Sequence, residues 1–470
     1  MPRIVIRAPR AFERAFAAIR AELDVPPRFP GGVLEEAATA RAGGDGRRDA
    51  RDLPFVAVDP PGATDLDQAF AAERRADGFR VHYAIADVGA FVEPGGAVDA
   101  EARRRGTTLY SPDTRTPLHP PVLSEDRASL LPGDDRPALL WAIDLGGDGE
   151  PIASHVERAT VRVREAITYT EAQRRIDAGA DERLTLLAEI GGLRQRREAE
   201  RGGVSLNLPA QEVVERNGTY VLAFDETLPV EGWNAQISLL TGIVGGRTML
   251  DAGVGILRTL PPLWDGDLDR LRRTARTLGL DWPDDVSYAD FVRDLTPDTA
   301  HRNAFLLQAA RSFRGAGYAG FDGERPEHPE HGAIASVYAH VTAPLRRLVD
   351  RFGNEILLAL HAGRRPPGWA TEALDELPSL MGQARQRESA LERAMLDMAE
   401  ALVLERSVGE VFDAAVVAID ERGERAVVQI ADPAIVDEVP ADGRRLGEEL
   451  KLRVERVEVS RRLVELGVVP

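Results

Sequence analysis

Val58-Asp59-Pro60-Pro61-Gly62-Ala63-Thr64-Asp65-Leu66-Asp67-Gln68-Ala69 decides how the rest of this 470-residue chain is read. Three carboxylates fall within nine residues, at the spacing D-x5-D-x-D. Phe55-Val56-Ala57-Val58 before them is apolar and β-branched, and reads as a buried strand. Pro60-Pro61-Gly62 then makes a rigid turn, because proline fixes φ and glycine permits unusual φ. An alternating strand after the turn would point Asp65 and Asp67 to one face and Leu66 to the other. The turn folds Asp59 back beside that face. Three converging carboxylates repel one another unless a cation sits among them. A compact set of hard oxygen ligands suits Mg²⁺ or Mn²⁺ better than zinc. Such an ion is a usual clamp on a phosphodiester undergoing hydrolysis. A solvated acidic loop would give the same spacing. The apolar runs on both sides, Phe55 to Val58 and Ala69-Phe70-Ala71-Ala72, favour a buried site instead.

The stretch resembles the signature of the ribonuclease II / ribonuclease R family, the RNB-domain exoribonucleases. There an Asp is followed, after five residues, by Asp-x-Asp-Asp-Ala. Asp59, Asp65 and Asp67 match the first three aspartates, and Gln68 stands at the fourth. The resemblance implies that these residues hold Mg²⁺ at the 3′ end of RNA. Gln68 offers a carbonyl oxygen without charge. Thr107-Thr108-Leu109-Tyr110-Ser111-Pro112 is similar to a family segment that places Tyr110 against RNA bases. Ala166-Ile167-Thr168-Tyr169 supplies a second tyrosine near the 3′-terminal nucleotides. Arg201-Gly202-Gly203-Val204-Ser205-Leu206-Asn207-Leu208-Pro209 resembles R-G-A-x-D-F-D-x-P, with Leu206 in place of a base-clamping phenylalanine. Tyr338-Ala339-His340-Val341-Thr342-Ala343-Pro344-Leu345-Arg346-Arg347-Leu348-Val349-Asp350 resembles Y-x-H-F-T-S-P-I-R-R-Y-x-D. It puts Arg346 on the catalytic arginine and Arg347 beside it on the RNA. Glu392 matches a glutamate near the 3′ end, with Glu388 as its rival. Together these segments cover about residues 50–400.

Composition sets broad limits. Hydrophobic content of 43% and charged content of 29% are ordinary for a folded protein. The absence of cysteine excludes disulfides and Cys-based zinc sites, and fits a reducing cytoplasm. No apolar stretch approaches the ~20 residues of a membrane span, and the N-terminal apolar run is too short for a signal peptide. A net charge of −18 argues by itself against a nucleic-acid partner. Yet Lys451 is the single lysine, so nearly all the basic charge is arginine. Arginine suits bidentate phosphate contacts and base stacking. A narrow basic channel through an acidic body reconciles the two facts.

Taken in order, residues 1–50 read as two short helices and a glycine-rich linker, a scaffold packed on the next domain. Residues 51–405 read as the RNB-type catalytic domain. It is strand-rich to about 165 and helical beyond, with a helix over 344–361 that starts at Arg346 and Arg347. Tyr110 to Pro121 reads as an irregular, proline-rich ligand wall. His328, His331 and His340 read as structural or solvent-facing. Residues 406–470 hold five short strands with turn signals, an OB-type barrel poor in aromatics. The expected class is α+β: a mixed catalytic domain with many helices plus a C-terminal five-stranded OB-type β-barrel. No cold-shock barrel is read before residue 50.

The resemblance implies a processive, hydrolytic 3′→5′ exoribonuclease acting on the 3′ end of single-stranded RNA, a cytoplasmic monomer that releases nucleoside 5′-monophosphates. Its catalytic residues would be Asp67, Arg346 and Glu392. Its metal ligands would be Asp59, Asp65, Asp67 and Gln68, and its RNA contacts Tyr110, Tyr169, Leu206 and Arg347. Gln68, Leu206 and Leu348 motivate an alternative, an RNA-binding protein with weakened catalysis. A phosphodiesterase for a small nucleotide is a third reading, which would need no barrel.

Overall fold

The computed structural model describes residues 10–43, 46–205, 210–216, 219–225, 227–296, 299–420, 422–430 and 434–469, with the backbone alone at 10–13, 210–216, 219–225, 300 and 311–312. Leu206 lies outside the described residues. Apolar runs with little polar interruption make strands that are buried on both faces. Such runs, β2 (Val56–Val58), β4 (Gly78–Ala86) and β5 (Asp135–Gly146), form one sheet with the more exposed β1 (Arg48–Asp49), β3 (Gln68–Arg75), β6 (Pro151–Arg162) and β7 (Glu165–Ile167). Its order is β1-β6-β5-β4-β3-β2-β7. The pairs β3–β4, β4–β5 and β5–β6 are antiparallel, while β1–β6 and β2–β7 are parallel.

The two faces of this sheet differ in side-chain size. Val81, Tyr83 and Ile85 of β4 and Leu139, Trp141 and Ile143 of β5 share a core with the helices. The alternate residues Ala84, Ala86, Ala138 and Leu140 pack with Phe55, Phe91 and Leu123. Period-two alternation therefore puts bulk under the helical layer and small residues under the loop layer. The helical layer includes α1 (Glu182–Glu200), α2 (Pro229–Ala252) and α3 (Leu348–His361); α4 (Leu377–Leu404) leads to the barrel.

Five antiparallel strands make that barrel, in the order Ile435–Pro440, Arg425–Ile430, Val411–Ile419, Glu449–Glu458 and Leu463–Val469. Its two edge strands lie against each other and nearly close it. Phe16 and Ile19 of the helix Arg10–Glu22 enter the same core as Val416, Val428 and Leu452 of the barrel and Leu391 and Met395 of α4. The mixed α+β class and the five-stranded barrel are as expected. No helix among the described residues is long and apolar enough to cross a membrane.

Three local expectations differ. Asp65 to Asp67 is not strand; β3 begins at Gln68. The backbone there bonds sideways, with Leu66 N–H donating to Ser129 Oγ and Leu66 C=O accepting from Leu130 N–H, both at 2.9 Å. The helix after Pro344 begins at Leu348, so Arg346 and Arg347 precede it. Within the proline-rich wall, Leu109–Tyr110 pairs with Arg115–Thr116 as a minimal hairpin.

Close approach of α2 to the segment around Tyr338 requires glycine. A Cβ on Gly242 would meet the Tyr338 ring and the Ala339 carbonyl. Gly242→Val should therefore destabilise the protein by about 3 kcal/mol, at the upper end for overpacking. Gly192→Ala, on α1 with open space around it, should stabilise by about 0.5–1 kcal/mol. Urea midpoints of the two variants check both signs.

Candidate active site

The turn that organises the site is a type II turn. Ala63 N–H donates to Pro60 C=O at 3.2 Å, Pro61 occupies the second position, and Gly62 takes φ of 76°. It returns the chain past Asp59, whose own N–H is fixed to Ile167 C=O of β7 at 3.1 Å. Asp59 sits half-buried at the end of β2. Ser129 clamps the far side of the loop, its hydroxyl donating to Thr64 C=O at 2.7 Å.

Asp67 is 3% exposed. Its Oδ1 accepts from Leu345 N–H at 2.8 Å and its Oδ2 from Arg346 Nε at 2.6 Å, joining residues 279 positions apart. Burial holds the Asp67 carboxyl above its ordinary value, at about 6, against the opposing pull of Arg346 and the Leu345 N–H. Burial alone would lower the Arg346 guanidinium. Asp67, Tyr110 and Asp59 outweigh it and hold the cation firmly charged. Asp59 is thus within electrostatic reach of Arg346.

The Arg346 loop is built from two sides. Thr108 N–H and Thr107 Oγ1 both donate to Arg346 C=O at 2.9 Å. This ties the Tyr110 segment to the arginine segment. From below, Asp350 is fully buried and accepts from Ala343 N–H at 2.6 Å and from Arg347 Nε and Nη2 at 2.9 and 2.7 Å. Arg347 is therefore engaged by Asp350. The backbone N–H groups at this turn are taken by two carboxylates, Asp67 and Asp350, in the way helix N-termini take anions.

Asp65 pairs with Arg115 Nη1 at 2.5 Å and accepts from Tyr110 OH at 3.3 Å. Arg115 also reaches Glu125 at 3.1 Å. Tyr110 is 46% exposed, a ring standing at the site's rim. Gln68 Oε1 accepts from the Tyr83 hydroxyl and, at 3.1 Å, from Ser238 Oγ of α2; the two hydroxyls are 2.8 Å apart. Tyr169, half-buried, lies within electrostatic reach of Tyr83. Asp59, Asp65, Asp67, Gln68, Tyr110, Tyr169 and Arg346 thus occupy one neighbourhood.

Glu392 and Glu388 sit one turn apart on α4, neither hydrogen-bonded to Asp67 or Arg346 among the described residues. Burial pushes Glu388 up against the pull of Arg385, Arg347 and Arg258. Burial, then Glu388, pushes Glu392 up. Of the two, Glu388 faces the arginines beside the site. His340 is a structural histidine, its Nδ1 2.7 Å from Tyr318 OH; His328 is exposed.

Sequence reasoning missed Arg115, Ser129, Tyr83 and Ser238. Arg115 sits in a stretch read as irregular. The other three carry no charge or spacing signal.

The donor chemistry suits a hard cation. Four carboxylates, on Asp59, Asp65, Asp67 and Glu125, face two guanidiniums, on Arg115 and Arg346, leaving net negative charge for a divalent ion to offset. Among the described residues, however, no three acids or histidines gather as a ready cage. Asp65 is turned to Arg115 and Asp67 to Arg346.

Comparison with known proteins accounts for this arrangement. The RNB domain model matches residues 47–362, and the RNase II-type exonuclease C-terminal S1 domain matches 410–469. The chain belongs to the RNB-domain family. It is 28% identical over 355 residues to the exosome complex exonuclease RRP44 of Mus musculus, covering 72% of this chain and 36% of that protein. With ribonuclease R of Escherichia coli it shares 25% over 515 residues, covering 98% and 60%. The chain thus spans only part of the length of these relatives. The fold matches Mycoplasma genitalium RNase R in complex with ribose methylated single-stranded RNA, with TM-score 0.86 at 18% identity over 98% of this chain and 78% of that one.

Asp350→Asn should leave Arg347 without its charge partner and loosen the Arg346 loop. Because Arg347 reaches solvent, a loss of about 2 kcal/mol is expected rather than the full ~3–5 kcal/mol of a broken buried pair. A chemical-denaturation midpoint measures it.

Proposed function

We propose that this protein is a metal-dependent exoribonuclease that hydrolyses single-stranded RNA processively from its 3′ end in the cytoplasm, releasing nucleoside 5′-monophosphates. The observation that carries this reading is the buried Asp67–Arg346 pair with the exposed Tyr110 ring at its rim. Arg346 donates through Nε to Asp67, which orients the guanidinium. Its terminal nitrogens are then aimed for a phosphate, where they stabilise charge that builds in the transition state. Tyr110 and Tyr169 stack on the last bases. The 2′-hydroxyl distinguishes RNA from DNA. Asp59, Asp65 and Asp67 would hold Mg²⁺, or Mn²⁺, which when bound supplies an activated water and shields the scissile phosphate. Glu392, or Glu388 one turn before it, orients the 3′ end.

A second reading is an RNA binder of the same fold with weakened catalysis. It is favoured by Gln68, whose side-chain oxygen already accepts from Tyr83 and Ser238. Incubation with 5′-labelled oligo-RNA and Mg²⁺, with and without chelator, separates the two. Mononucleotide release that chelator stops supports the enzyme; a mobility shift without degradation supports the binder. Asp67→Asn should lower turnover at least about 100-fold while RNA binding persists. Turnover like the wild type in that variant overturns the assignment. Gln68→Asp should raise the metal-dependent rate if the uncharged fourth position limits it.

The acid limb has a definite direction. Asp67 must be ionised to hold Arg346, and its pKa is raised to about 6. RNA hydrolysis should therefore fall on the acid side as Asp67 is protonated and Arg346 released, with a bound divalent cation moving that limb to lower pH. For stability the sign is opposite: a carboxyl raised on folding favours the folded state at low pH, and that contribution is lost as pH rises from about 4 to about 6. A pH–rate profile and melting curves across pH 4–8 measure the two effects.

A further inference from the structure

Away from Asp67, the turn between β5 and β6 faces the C-terminal ends of α1 and α2 across a half-open cavity of ≈ 230 Å³. Arg194, Arg197, Arg201 and Arg247 line it, with Glu150, Glu200 and Ile243. Arg194 is 2% exposed. Its Nη1 donates to Gly149 C=O at 2.8 Å and reaches Glu150 at 3.5 Å, and its buried Nε has no partner among the described residues. Arg201 donates through Nε to Ile334 C=O at 2.8 Å, while its buried Nη2 has no partner. Arg247, half-exposed, reaches Glu150 at 3.5 Å; Arg197 is paired with Asp148 and Glu200. Arg194 is buried and Arg201 half-buried, and each keeps one shielded nitrogen without an acceptor among the described residues, which is costly. Burial, and then Arg201, lowers the Arg194 guanidinium to about 10, and burial lowers Arg201 as well. Glu150, Glu200 and Asp148 offset three of these four arginines, and Glu198 acts on Arg201, so the lining is close to neutral with a small excess of cation.

Among the described residues no aromatic ring lines the cavity, so none of them offers a surface on which to stack a base. Planar guanidinium forks instead match the paired oxygens of a phosphate. We propose that this cavity is a phosphate-binding site, separate from the Asp67–Arg346 site, that takes a phosphate group either of the RNA backbone or of a free phosphorylated anion. The separation follows from β4. Gly78 pairs with Gly146 beside the cavity turn, whereas Ala86 donates to Asp67 C=O. Those two strand ends are roughly 25 Å apart at about 3.3 Å per residue. Along α2, Ile243 and Arg247 lie about 8 and about 14 Å from Ser238, which touches Gln68.

The test uses the full chain and isothermal titration with inorganic phosphate, then pyrophosphate. Saturable 1:1 binding is expected. It should weaken at least about tenfold in Arg247→Gln and in Arg197→Gln, both at accessible side chains, and persist in Asp67→Asn. Circular dichroism confirms that the variants fold. Absence of saturable binding, or binding kept in both arginine variants, overturns the proposal, as does binding lost in Asp67→Asn. The source is read from labelled oligo-RNA titrated against salt. If Arg247→Gln weakens RNA binding and reduces the salt slope by about one, an RNA phosphate occupies the site. If RNA binding is unchanged while phosphate binding falls, a free anion does.

Discussion

One ion pair organises the centre of this protein. The Asp67 carboxylate, nearly shut off from water, holds Arg346 from a distant part of the sequence. A buried pair of this kind is not a strong source of stability, because desolvation offsets much of the attraction. Its effect is to fix geometry. Asp67 can meet both Leu345 N–H and the Arg346 guanidinium in one arrangement of the 343–347 loop, and Asp350 secures the other side of that loop. The aromatic rim comes with it, since Thr107 and Thr108 carry the Tyr110 segment onto the Arg346 carbonyl. Three separate stretches of sequence are thereby locked into one neighbourhood.

The same pair explains why the acids do not form a closed cage. Two of the three carboxylates that a cation would use are ion-paired to an arginine: Asp65 to Arg115, and Asp67 to Arg346. Without such partners the carboxylates would repel one another. Cation loading then competes with internal cations, which ties metal affinity to the mobility of Arg115. Gln68 stands outside this competition. It brings no charge, and two hydroxyls already hold its oxygen.

Much of this was legible in the residues. Phe55 to Val58 is a buried run and does fold as strand; Pro61-Gly62 does make a turn. The five C-terminal strands could be seen from their spacing. Asp59, Asp65, Asp67 and Arg346 could be singled out because charge inside apolar context is conspicuous. Other features were hidden for physical reasons. Alternation suggested strand at Asp65 to Asp67, but Ser129 and Leu130 captured the Leu66 backbone first. Pro344 suggested a helix start, but Thr108 N–H bonds Arg346 C=O and Leu348 N–H bonds Gly106 C=O, so residues 346–347 are held against 106–108, with Arg347 extended, and the helix waits until Leu348. Tyr83 and Ser238 are ordinary residues that matter only through Gln68. Tertiary hydrogen bonds of this kind leave no periodicity to detect.

The core beneath the C-terminal barrel has a kinetic corollary. Phe16, Ile19 and Val25 fill it alongside residues from 391 to 466. Phe16 and Leu466 are 450 residues apart, so closing this core carries the loop entropy of a very long intervening segment. During synthesis the amphipathic helix Arg10–Glu22 is made about 400 residues before its barrel partners and stays uncovered until they emerge. The barrel is therefore the part of the molecule that assembles late, and the one whose early partner is exposed longest to wrong associations.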